Sequence, residues 1–236
     1  KHRSTLLAGR SALARRNFAN ARDYFNELTK EKNNPSIQAE AAFALADTAI
    51  LDPTSTSRKF DEAISILETI IKLGGENPST PIIVQAHGRI GDCHLQMAAT
   101  DPARYLKSRE SYQRVIDSSG RAQLDPPVRY RAMLGKATAL KNMPEEKAGQ
   151  RAKNLNEALS WAKKVFEGAT ASGIVIDPFW IRQSGLMAAE LQILVGRPRE
   201  AEYTFKTLAK HFSKMEPELN LRIKQLRENR SGSTPE

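Results

Sequence analysis

The chain has a single cysteine, Cys93, so no disulfide can form within it. No uncharged apolar run comes near the roughly 20 residues that a membrane-spanning helix requires. Sustained period-two alternation is also missing, and Ile174-Val175-Ile176 is too short to found a sheet. There is no phosphate loop, no GxGxxG following a strand and no GxSxG elbow, which removes the common nucleotide-binding and serine-hydrolase classes. Aromatic residues make up only 6% and mostly occupy packing positions, leaving few to stack on nucleic-acid bases. The residues call for no cofactor and no metal.

What the chain does have is charge and punctuation. Its formal net charge is +9, and the excess is uneven. Residues 1–118 carry 16 basic against 14 acidic side chains, and residues 119–236 carry 20 against 13. Both ends are basic: Lys1 to Arg22 contains no acid, and Arg222, Lys224, Arg227 and Arg230 cluster near the C-terminus. Such runs are most often solvated faces, with a polyanion footprint as the other reading.

Asn34-Pro35, Asp52-Pro53, Asn77-Pro78, Asp101-Pro102, Asp125-Pro126 and Asp177-Pro178 recur between apolar-periodic segments. Asp or Asn can cap a helix start, and proline tolerates the first helical turn, so each pair marks a boundary, usually a beginning. The intervening periodicity predicts helices near 4–16, 18–32, 36–51, 57–73, 80–98, 102–118, 126–142, 148–169, 178–195, 198–213 and 216–229. Gly173 and Gly74-Gly75 read as helix ends that tolerate a left-handed residue. Gly88 and Gly91 read as points where two helices nearly touch. The closing 230–236 is expected to be disordered.

Alignment of alternate helices exposes a repeat. Phe18 to Ala21, Phe60 to Ala63, Tyr105 to Ser108, Leu155 to Ala158 and Pro198 to Ala201 each set a small residue three places after the first, with packing residues four and seven further on. The preceding helices match at Ala8-Gly9, Leu45-Ala46, Ile90-Gly91, Leu134-Gly135 and Ala188-Ala189. This pattern resembles the tetratricopeptide repeat, a helix-turn-helix unit of about 34 residues. The first and last units keep the expected spacing, whereas Ala46 to Ala63, Gly91 to Ser108 and Gly135 to Ala158 are longer. The resemblance implies an all-α, right-handed superhelical solenoid of about five hairpins in one domain over 1–229. The hairpins would span about 4–32, 36–73, 80–118, 126–169 and 178–213, closed by a capping helix at 216–229. FALADTAI and IGDCHLQMA are also similar to segments of bacterial envelope members of this class, the periplasmic Tol-Pal partner and the outer-membrane assembly lipoproteins. That likeness implies a periplasmic or envelope location, with the cytoplasm as the alternative.

His87, Asp92, Cys93 and His94 suggest a metal site, but the resemblance places the histidines at packing positions of a first helix. Glu145-Glu146 and the Glu200/Glu202 pair read as solvated surface. We therefore expect no catalysis. The resemblance implies instead a concave groove lined by first helices, into which the residue after each small one points: Arg10, Asp47, Asp92, Lys136 and Glu190. Arg3, Glu40, Gln85, Arg89, Arg129 and Gln183 lie one or two turns earlier. The partner-binding set is Arg10, Asp47, Arg89, Asp92, Arg129, Lys136 and Glu190, and the partner a protein or peptide of alternating charge. A chaperone-type carboxylate clamp is not implied, because Asp47 and Asp92 replace its Asn. Two alternatives remain, a nucleic-acid-binding repeat using the basic ends and a self-assembly module of a longer array. The absence of an evident cap after Lys1 favours an array that extends upstream.

Overall fold

The computed structural model describes residues 2–54, 58–74, 80–120, 122, 125–145, 147–171 and 177–231, with side chains through 228. Gly75, Asn77-Pro78, Glu146, Gly173 and 174–176 lie outside the described residues, as does the tail from 232. Among the described residues every regular element is helical. In chain order these are α1 (His2–Ala14), α2 (Phe18–Thr29), α3 (Pro35–Leu51), α4 (Lys59–Leu73), α5 (Pro81–Met97) and α6 (Arg104–Ser119). They continue with α7 (Pro126–Asn142), α8 (Gln150–Thr170), α9 (Pro178–Leu194), α10 (Pro198–His211), a 3-10 turn (Ser213–Met215) and α11 (Glu216–Ser231).

The chain divides into two compact units, Lys1–Gly135 and Lys136–Glu236, with the division inside α7. In the first, α1–α2, α3–α4 and α5–α6 form hairpins, and α2 also packs on α3 and α4 on α5. First helices touch one another as well, α1 on α3 and α3 on α5. In the second unit α8 packs on α9, α9 on α10 and α10 on α11.

The repeat supplies the packing seam. Ala21, Ala63, Ser108, Ala158 and Ala201 all have 0% exposure. A side chain this small lets the facing first helix approach, and the large side chains flanking it then fill the space; the Ser108 hydroxyl donates to Gly91 O at 3.0 Å. Phe25, Leu67, Tyr112, Ala162 and Phe205, four residues on, are buried in turn. On the facing helices, glycines meet two of these rings. A β-carbon at Gly9 would lie 2.5 Å from Phe25 Cε1, and one at Gly91 would lie 2.9 Å from Tyr112 Cε1. Gly88 does not share that role, since its added carbon would meet only Val115, at an ordinary 3.6 Å.

The punctuation acts as side-chain chemistry. Asn34 Oδ1 accepts from Ile37 N at 3.2 Å, and Asp177 Oδ1 accepts from Phe179 N at 2.8 Å, each with proline starting the helix. Asp52 instead closes α3, and its carboxylate accepts from both the backbone and the hydroxyl of Thr54. The tight turns of the first and last hairpins carry their left-handed residue at the same place, Arg16 (φ 58°) and Gly196 (φ 75°), five before Ala21 and Ala201. Gly74 ends α4 with φ −71°, a right-handed conformation rather than the left-handed one expected, because its amide still bonds to Ile70 O. The extra residues of the middle units lie between the two helices, which are separated by more residues after α3, α5 and α7 than after α1 and α9. In the fourth unit an α8 of 21 residues adds to them. At the C-terminus Leu219 and Ile223 of α11 cover the Phe205 cluster, which gives the last hairpin an apolar lid with a polar outer side.

Candidate functional site

The charges that the sequence assigns to a guest are, in large part, engaged with one another. Arg10 of α1 donates to Glu40 of α3 at 3.0 Å. Asp47 of α3 meets Arg89 of α5, with Nε 2.8 Å from Oδ1 and Nη2 donating to Oδ2 at 3.2 Å. Arg89 also reaches Asp92 at 3.5 Å, and Asp92 accepts from Arg131 of α7 at 2.6 Å. In the second unit Lys141 of α7 donates to Glu190 of α9 at 2.8 Å. Each first helix is thereby joined to the next by a charged contact. Asp47, Arg89 and Asp92 are brought together, Arg10 and Glu190 stand apart from them, and Arg129 is exposed on α7 without an ion pair among the described residues. Lys136 is placed differently. Only 6% of it is exposed, its Nζ is 2.7 Å from Glu157 and 4.5 Å from the Trp161 ring centre, and so it is spent on holding α8.

Beneath the Asp47–Arg89–Asp92–Arg131 chain lies a groove of about 270 Å³ in the first unit. Phe43, Gly88, Val115, Val128 and Ala132 make its floor, and Gln85, Arg89 and Arg131 its edge. The floor escapes sequence reading because its members come from α3, α5, α6 and α7 and share no motif. Arg89 lies over the Phe43 ring at 5.8 Å, and the Tyr112 hydroxyl donates to Asp92 Oδ1 at 2.8 Å. Asp92 is thus met by three donors. Burial holds the Asp47 carboxyl above its ordinary range against the pull of Arg89, and burial beside Asp92 pushes the Tyr112 phenol well up.

Gly88 leaves this groove open. Gly88→Ala should stabilise the protein by about 0.5–1 kcal/mol, since a mid-helix glycine is replaced without a clash. Gly91→Ala should lose that gain against Tyr112. Thermal melts of the two variants check the contrast.

His87 and His94 pack at the α5–α6 contact, each 8% exposed. Burial, with Arg114 near the first ring and Arg104 and Lys107 near the second, lowers both to about 4. Burial beside Asp92 pushes the Cys93 thiol up to about 12, so it stays protonated and is a poor nucleophile. At the basic ends Arg10 is paired to Glu40, Arg22 to Glu62, Arg222 to Glu218 and Arg227 to Glu202, whereas Arg3, Arg15 and Arg16 form no ion pair with a described residue.

Residues 6–53, spanning α1 to α3, match the tetratricopeptide repeat family. Among solved structures the chain is similar to BtubC (BKLC) from P. vanneervenii at 12% identity and a TM-score of 0.62. That likeness covers 97% of this chain and 80% of the other. It shows the fold. No curated protein matches the sequence. Repeats of the matched class generally mediate protein–protein interaction. No helix among the described residues is long and apolar enough to cross a membrane.

Proposed function

We propose that the chain is a non-catalytic protein-binding module whose first-unit groove receives an apolar side chain of a partner peptide. The observation that carries this is the combination of an apolar floor with an edge whose charges are already matched internally. A charged ligand entering there would have to displace existing partners, whereas an uncharged anchor gains burial without breaking them. The cavity is slightly smaller than the usual small-molecule range of about 300–1,000 Å³, which suits one anchoring side chain better than a metabolite. This narrows the expectation of an alternating-charge guest to a guest with an apolar anchor.

Reversal of Asp47 and Asp92 to lysine would not test the groove cleanly, because it sets ammonium groups beside Arg89 and Arg131. Gly88→Leu does, since its side chain extends into the open floor. Short-peptide arrays probed with the intact chain should select sequences with Leu, Phe or Trp anchors, with signals that change little between low and high salt. Gly88→Leu should weaken those signals by about tenfold, or about 1.4 kcal/mol, while leaving the thermal melt intact. Binding that ignores Gly88→Leu, or that collapses with salt, would overturn the reading.

A further inference from the structure

We propose that the second unit carries a separate recognition surface, a groove of about 520 Å³ between α8 and α10 that takes an acidic peptide segment of a partner protein. This groove lies over α9 between two second helices and does not depend on the first-unit groove. α8 and α10 both run antiparallel to α9, so they run parallel to each other. Lys163 and Arg199 therefore stand toward one end of the groove and Thr170 and Thr207 toward the other.

Charge indicates the occupant. Neither Lys163 nor Arg199 forms an ion pair with a described residue, although Lys163 is half-buried. Of the cations near α10, Arg197, Lys206 and Arg227 each reach a carboxylate. Glu167 and Glu200 also line the groove, and Glu200 lies 3.7 Å from Arg197. Arg197 lies outside the lining and is paired with Glu200, so within the groove Lys163 and Arg199 stand against Glu167, an excess of one positive charge that suits a single acid and not a polyanion.

The floor adds a second, independent feature. Gln192 is 3% exposed, and its Oε1 accepts from Thr204 at 2.9 Å. Its Nε2 makes no hydrogen bond with any described residue and faces the groove that Gln192 lines. An amide donor without a protein partner at the groove is open to an acceptor, and a peptide carbonyl is one of matching size. The Thr170 and Thr207 hydroxyls donate to Phe166 O and Tyr203 O of their own helices, which leaves oxygen lone pairs for peptide N–H groups. Tyr203, 74% exposed, and Phe166 supply the apolar contact for a side chain beside the acid. The bound segment thus places a carboxylate at Lys163 and Arg199, a carbonyl on Gln192 and an apolar side chain between the two rings.

The test uses the full chain on arrays of short peptides in which one or two Asp or Glu residues stand at varied distances from Phe or Leu. Matched arrays carry Gln or Lys in place of the acids. Acidic peptides should bind about tenfold more strongly than their Gln versions, and Lys163→Glu with Arg199→Glu should abolish the preference. Lys163→Ala with Arg199→Ala should reduce it in the same direction, and a circular-dichroism melt confirms that each variant is folded. Gly88→Leu should leave it unchanged, which separates failure of this groove from failure of the first. Equal binding of acidic and Gln peptides would overturn the proposal. So would retention of the preference in both double variants, or stronger capture of a single-stranded oligonucleotide that the same variants abolish.

Discussion

Tyr112→Ala should cost about 3–5 kcal/mol, the range for removing a buried aromatic side chain. In a protein of this size that lowers the melting temperature by roughly 6–20 °C. The ring is 1% exposed and lies between two helices: a β-carbon at Gly91 would come within 2.9 Å of it, and one at Gly135 within 2.3 Å. Its hydroxyl is one of the three donors on Asp92. Tyr112→Phe removes only that bond and should cost about 1–2 kcal/mol, since Arg89 and Arg131 continue to satisfy the carboxylate. Gly135→Ala should cost about 1–3 kcal/mol alone, because the ring has nowhere to move. Combined with Tyr112→Ala it should become neutral or stabilising, since the space is empty and a helix interior prefers alanine. Chemical denaturation of the four proteins gives the coupling; additive losses would show that ring and glycine do not oppose one another.

The second large effect is loss of stability in acid. His87 and His94 are held near 4 in the folded protein, against 6.5 in the unfolded chain. Between these values the unfolded state binds the extra protons, so stability is full above about pH 6.5 and drains away as the pH falls toward 4. Each ring can contribute about 3 kcal/mol over that interval, at 1.36 kcal/mol per pH unit. Arg114 beside His87, and Arg104 and Lys107 beside His94, act in the same direction as burial, while Asp61 and Asp101 oppose it at His94. Asp47 has a raised pKa and binds its proton more readily when folded, so it offsets part of the loss at the acid end. Denaturation midpoints across this range should fall steeply for the parent protein. With His87→Leu and His94→Leu together the profile should be nearly flat from pH 6.5 to 5; an unchanged slope would assign the effect elsewhere.

Helix positions were readable in the sequence because apolar periodicity and capping residues are local signals. The seam was readable for a related reason, since Ala21 and its four counterparts hold the same place in each unit and packing repeats with them. The first-unit groove was only half legible. Arg10, Asp47 and Asp92 stood in one column, and residues of opposite sign, Glu40 and Arg89, lay one or two turns earlier in the following first helix. That opposition is the signal that could have paired them. Which residues finally face each other depends on the stagger between neighbouring helices, and the sequence does not contain it: Asp92 meets Arg131 rather than Arg129. Glu190 likewise meets Lys141, while Lys136 turns toward Trp161. The Phe43–Val128 floor and the Gln192 amide arise from three or more elements converging, so no single stretch announces them.

The pairing of each first helix with its successor has a consequence for how such a chain can be rearranged. Exchanging the second and third hairpins would set Arg10 against Arg89 and Asp92 against Glu40, even though every hairpin kept its own apolar seam. The alanine and glycine positions are interchangeable between modules. The signs are not, and they restrict which hairpin can follow which.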